Sequence, residues 1–441
     1  MDTTLQNQAS WTFSRKISFR FFCCLFILYI FPFPVNDIPF NREIDKISEH
    51  ILGWYTNGMG YVETFWHWLI PVVGRSVVKE PITIFTNGSG DTTYDYLLLL
   101  TQTVIALIVS IAWGIADKKR KSYNTAWYWL CVLLRYFVAY MMLGYGFAKV
   151  FHLQMPYPYL SRLVQPYGDS SPMGLVWTYV GQSKPFSILV GFSEVICGVL
   201  LLFRKTTLVG ALLSLVVMGN IVVINFCYDV PVKLFSSVME IMSFYLTATY
   251  WKELYRLFIL HQPGMLVKYK QPYFKKKWVR VTVKLLKVLI IADAFFYNIT
   301  DSIDGSKQYG DSRPRPPLYG IYNSELVTRN NDTIPPLATD TTHWKQVIIQ
   351  FADYATIKLM NDTTRNYNFK IDTITKTAII YPSWDTLHKT TFKYIADTST
   401  LILTGKMKDD SIYMRFRRYD INKFRLMNRG FHWINEYPYN R

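Results

Sequence analysis

The chain has 441 residues, half of them hydrophobic and 17% aromatic, with a formal net charge of +17. Apolar residues stand in long blocks before Thr300 and alternate after it; blocks of roughly 18 or more match a ~30 Å hydrocarbon core at ~1.5 Å rise per residue, which excludes a soluble globular protein. The basic residues gather beside those blocks, in the manner of cytoplasmic loops, so the expected partner is the lipid bilayer and not nucleic acid.

The basic tail with Arg15, Lys16 and Arg20 precedes an apolar run, Phe21 to Phe33, followed by Pro32-Phe33-Pro34 and no small-x-small cleavage site. This predicts an uncleaved first span near residues 17–34 with its tail inside. Residues 35–95 then lie outside. Within them Phe65 to Val78 is interrupted by Pro71, Gly74 and Arg75 and reads as an interfacial helix. Thr92 and Asp95 have capping-box spacing ahead of the second span; an anion or metal site in Asn87–Asp95 is the competing reading.

Further spans are expected at about Tyr96–Ile115, Trp127–Val150, Pro185–Phe203, Thr207–Phe226, Val232–Tyr250 and Val279–Ile299. Basic clusters follow the second, fourth and sixth: Lys118–Lys121, Arg204–Lys205, and Lys268, Lys270, Lys275–Lys277 with Arg280. Seven crossings from an inside start satisfy the positive-inside bias at each short loop and leave the C-terminus outside. The tail beyond Thr300 is therefore expected on the side of the membrane away from the cytosol.

A linker rich in Gly, Pro and polar residues, 301–317, ends the membrane part. Short alternating runs are then predicted as strands: Gln346–Phe351, Thr356–Met360, Tyr367–Ile371, Thr377–Tyr381, Thr391–Ile395, Thr400–Leu403, Ser411–Phe416 and Phe424–Met427. They read as a soluble all-β barrel or sandwich, with Arg429–Glu436 as a strand end closing it. The domain plan is two N-terminal spans with their outer loop (1–125), a four-helix unit (126–250), a basic loop and last span (251–300), the linker (301–317) and the β-rich domain (318–441). The five cysteines lie in or beside apolar blocks and form no C-x-x-C; they read as small apolar residues.

Ionisable groups inside a span are costly and generally face a bundle interior. Arg135, Glu194, Asn220 and Glu240 all fall in the middle half of their spans when depth is counted from the helix ends, and Asp293 lies in the last span. One cation and two carboxylates at similar depth predict a single polar cluster, in which a carboxylate lacking a full counter-charge could hold a proton or hydrogen-bond a quinone carbonyl. The alternative is an Arg–Glu pair that only pins helices together. Gly144-Tyr145-Gly146-Phe147-Ala148-Lys149 closes the third span. Lys149 beside His152 reads as an anchor at the outer interface, or as a cation beside an outward-facing pocket near the tyrosine-rich loop 157–167. No P-loop or H-E-x-x-H motif stands in the chain, no expected span carries a histidine pair for haem, and no metal site is expected.

Arg135, Gly144, Gly146 and Lys149, followed by Glu194 in Gly191-Phe192-Ser193-Glu194-Val195-Ile196-Cys197-Gly198, resemble the DoxX/DoxD-like membrane family. That family is similar in having a four-helix unit that opens with an Arg and a Gly-rich, Lys-terminated helix. The whole layout resembles larger DoxX-type proteins of Gram-negative bacteria, which implies a place in a bacterial inner membrane with the C-terminal domain in the periplasm. The family name comes from subunits of a thiosulfate:quinone oxidoreductase, so the resemblance implies a redox-associated, quinone-facing subunit among other membrane subunits. A membrane-anchored binding or assembly protein working through the β domain is the alternative, and a small-molecule transporter a third.

Overall fold

The computed structural model describes residues 10–34, 40, 44, 53–85, 87–263 and 275–440. Residues 35–39, 41–43 and 45–52 of the segment between the first two expected spans, and Lys268 and Lys270 of the basic loop, lie outside these residues. The chain divides into two units, one made of Met1–Gln154 with Ser187–Asp304 and the other of Met155–Phe186 with Gly305–Arg441.

The first unit is helical. Its helices are α1 (Phe13–Ile30), α2 (Gly53–Val77), α3 (Thr93–Ala116) and α4 (Asn124–Val150), then α7 (Lys184–Leu202), α8 (Thr207–Cys227), α9 (Lys233–Ala248), α10 (Trp251–Phe258) and α11 (Lys277–Gln308); the short α5 (Leu160–Leu163) and α6 (Pro172–Gln182) belong to the second unit. Among the described residues four helices, α3, α4, α7 and α8, are long and apolar enough to cross a membrane, and they mark the chain as membrane-associated. The predicted interfacial segment at Phe65–Val78 is the end of the longer α2, which continues through Pro71. Helix α11 runs to Gln308, so the first eight residues of the expected linker are helical, Gly305 among them; the N–H groups of Tyr309 and Gly310 both donate to the Gly305 carbonyl where the helix ends.

Thr92 accepts from the Asp95 N–H and Asp95 accepts from the Thr92 N–H, the reciprocal pair expected at the start of α3. The preceding Asp91 reaches across to α9. Its two oxygens accept the N–H groups of Lys233 and Leu234 at 2.7 and 2.9 Å, so it caps a helix 142 residues away. At the opposite ends of α1 and α3, buried Arg20 donates twice to the Tyr123 hydroxyl, at 3.0 and 2.8 Å, and that hydroxyl donates to Asp117. Trp11, Phe19, Trp113 and Tyr123 pack around this relay.

In the second unit β1 (Gly320–Arg329), the two-residue β2 (Asp332–Thr333), β3 (Trp344–Phe351), β4 (Tyr354–Leu359), β5 (Thr364–Asp372), β6 (Thr377–Pro382), β7 (Thr390–Ala396), β8 (Thr400–Met407) and β9 (Asp410–Tyr419) form one antiparallel meander. β1 pairs with β3 on one side and β9 on the other, which closes eight strands into a barrel with β2 as an appended stub. The inward residues, among them Trp344, Ile357, Phe369, Phe392, Leu403 and Phe416, meet in one apolar core, as a barrel of this size allows. Gly405 lies opposite Phe392, where a Cβ would stand 2.7 Å from the Thr391 carbonyl and 2.8 Å from the Phe392 ring. Phe424–Met427 is not a strand: Arg425–Asn428 is a single helical turn, α12, after a turn in which Asp420 accepts the Asn422 N–H. Arg429–Glu436 forms no strand either and is exposed, so closure is made by β1 and β9.

Strands β1 and β3 break the alternation of the rest. Tyr322, Val347 and Ile349 face the core, while Ile321 and Ile348 face outward and are nonetheless buried. Leu160 of α5 covers them, with Leu163, Val164, Tyr419 and Phe424 around it. The Gln350 side chain accepts the Leu160 N–H at 2.6 Å, and the Tyr159 ring packs edge-on against Phe351. Residues 155–186, expected as part of the four-helix unit, therefore fold with the barrel.

Candidate functional site

Small residues set the register of α4 against α7. A Cβ on Gly146 would lie 2.9 Å from the Gly191 carbonyl, and one on Gly198 would lie 2.9 Å from the Ala139 carbonyl. The two backbones approach as closely as only small residues permit. In this antiparallel register Leu202, the last residue of α7, stands level with Arg135, and Lys149 stands within two turns of Glu194.

Lys149 and Glu194 consequently meet. The Lys149 ammonium lies 2.7 Å from Oε1 and 3.0 Å from Oε2 of Glu194, with the lysine 5% and the glutamate 1% exposed. Lys149 is in the last turn of α4, where the helix dipole favours a cation. The Ser187 hydroxyl donates to its carbonyl at 3.0 Å, and its ammonium lies over the Tyr145 ring. His152 follows at φ 60°, fully buried, and turns the chain out of the helix. Lys149 is therefore a buried ion-pair partner and not an interfacial anchor, because Glu194 draws it inward. The tyrosine-rich loop near it in sequence belongs to the second unit, where the Tyr159 ring packs on Phe351.

The expected single cluster of Arg135, Glu194, Asn220 and Glu240 is not assembled. Arg135 is 14 residues before Lys149, about 21 Å along the helix axis, beyond the reach of its side chain to Glu194. Its Nη1 donates instead to the Thr207 hydroxyl, 3.2 Å away at the start of α8. Glu240 faces α8, where a Cβ on Gly219 would touch it at 3.5 Å, and its Oε2 is buried without a hydrogen bond. Asn220 is exposed on the outer face of α8. Asn225 donates to Ser236 at 3.0 Å, and Asp293 accepts the Phe40 N–H at 2.8 Å. Depth counted from each helix's own ends misplaces Arg135, since α4 projects beyond α7 by its whole first third.

Arg135 borders a cavity of about 60 Å³ between the start of α4, the α7–α8 turn and the end of α9; Trp127, Arg204, Thr207 and Tyr250 also line it. This feature, and the Arg20–Tyr123–Asp117 relay, were not expected from sequence. Arg20 signals itself only as a cation about two turns into an apolar helix. Among the described residues no group of three or more His, Cys, Asp or Glu could hold a metal ion.

No family model matches the chain. It is similar to the uncharacterized protein YwoB of Bacillus subtilis (strain 168), 29% identical over 117 residues that make up 24% of this chain and 68% of that protein. No solved structure matches it.

Proposed function

We propose that the chain is a seven-span inner-membrane protein of the DoxX type that acts as a binding and assembly subunit, presenting its barrel on the periplasmic side. The observation that carries this reading is the docking of Leu160 on Ile321 and Ile348. The loop after α4 and the domain after α11 belong to one folded body, so an even number of crossings separates them. Helices α7 and α8 supply two; α9 and α11 must then both cross or both stay out. Lys284 and Lys287, about two and three turns into α11, can snorkel to headgroups, which supports crossing and the count of seven. The barrel's inward residues are packed against one another, which favours recognition by its outer surface.

In a cysteine-free background, Ser399→Cys in the barrel is expected to react with a membrane-impermeant maleimide on intact cells, and Lys119→Cys only after lysis. Labelling in the reverse order sinks the orientation. Native electrophoresis of mildly solubilised membranes is expected to show the chain in an assembly that deletion of residues 318–441 abolishes. Migration as a lone 51.7 kDa chain counts against the assembly role.

A quinone-facing, redox-associated subunit is the second reading. It is favoured by the buried Lys149–Glu194 pair, which occupies two of the positions that carry the resemblance. It expects quinone in lipid extracts of the purified protein and slower quinol oxidation in Glu194→Gln membranes. Extracts without quinone and an unchanged rate would end it.

A further inference from the structure

We propose that the cavity at the basic end of the helical unit is an oxyanion site that takes a phosphate group. The inference is independent of the assembly reading and of the Lys149–Glu194 pair. Two arginines line the cavity, Arg135 within it and Arg204 at its exposed rim, and no carboxylate is among its lining residues.

Arg135 is nine-tenths buried. Its guanidinium has five N–H donors. One is used on Thr207, whose hydroxyl is itself bonded to the Phe203 carbonyl at 3.1 Å, and Nε has no hydrogen-bond partner. Its face lies 5.1 Å from the Tyr136 ring, a contact that offsets little of the cost of a buried cation. Among the described residues no acidic side chain forms an ion pair with it. A buried charge without a counter-ion is strongly unfavourable, and an anion bound in the cavity supplies what the protein lacks.

Size and surroundings fit a phosphate. A cavity of about 60 Å³ has room for on the order of four or five waters, comparable with the five heavy atoms of a tetrahedral oxyanion. The planar guanidinium fork offers the paired donors that phosphate oxygens accept. Trp127 and Tyr250 form an aromatic wall, and the basic turns Lys118–Lys121 and Arg204–Lys205 flank the same end of the bundle, an arrangement that concentrates anions. The group could arrive as free phosphate or as the headgroup of an anionic lipid.

Calorimetry with inorganic phosphate on the detergent-purified full chain, and native mass spectrometry of the chain from nanodiscs containing phosphatidylcholine and phosphatidylglycerol, test the site. Arg135→Gln and Arg204→Gln are each expected to weaken binding about tenfold. Arg204 is exposed, so its variant keeps the test open should Arg135→Gln fail to fold. Selective retention of phosphatidylglycerol lost in the variants assigns a lipid headgroup; phosphate binding without lipid preference assigns a free oxyanion. A wild-type chain that binds neither probe, or binding that survives both substitutions, overturns the proposal.

Discussion

Lys149 and Glu194 compensate each other in a place where neither could stand alone. Breaking a buried pair by removing one partner leaves an uncompensated charge, at a cost of about 3–5 kcal/mol. Lys149→Met is therefore expected to lower the stability of the detergent-solubilised chain by that amount, and Lys149→Met with Glu194→Gln by much less, in a double-mutant cycle of thermal unfolding. His343, at the head of β3, makes a second prediction at this scale. Burial holds its imidazole below the usual range, with Asp340 opposing. The unfolded chain takes up a proton near pH ~6.5 that the folded barrel resists, so stability is fully present above that pH and is lost as pH falls through it. Hydrogen exchange of the β3 amides in the full chain should quicken on acidification through this window, and His343→Gln should remove that step. Such partners were only half legible in the sequence. Lys149 and Glu194 stand out as charges in apolar runs, but which residue each meets depends on the register of α4 on α7, set by Gly146, Gly191 and Gly198.

Elements built from uniform signals were easier to read than elements that break a pattern. Helices α7 and α8 lie within a residue or so of the apolar runs that predict them, because nothing inside them competes with the helix. Strand β1 was missed because Asn323, Ser324 and Glu325 interrupt its alternation at the point where the strand slips register against β9. In Phe424-Arg425-Leu426-Met427 only the first three residues alternate, and so short a run carries no period. The outward burial of Ile348 was visible as the unbroken Val347-Ile348-Ile349, a sign of a strand covered on both faces. The cap supplied by Asp91 to α9 shows what local reading cannot reach, since cap and helix are 142 residues apart. Asp91→Ala is expected to cost about 1–2 kcal/mol and to speed exchange of the Lys233 and Leu234 amides, with Asp91→Asn recovering most of the loss.

For the molecule as a whole, the division into units does not follow the order of the chain. Residues 155–186 sit between two membrane-spanning helices in sequence but fold with a barrel that begins at Gly320. Leu160→Ala removes the side chain that covers Ile321 and Ile348, at an expected cost of about 2–3 kcal/mol. Limited proteolysis should then cut within residues 155–186 sooner, while the β4–β8 amides keep their protection; equal protection of both segments would contradict the docking described. This arrangement also bears on how the protein is made. During synthesis Leu160 leaves the ribosome long before Ile321, and the ring of strands stays open until Tyr419 has followed. A nascent chain halted before that residue would carry a greasy, unpaired segment and two raw sheet margins, the features by which quality-control proteases and chaperones tell unfinished polypeptides from completed ones.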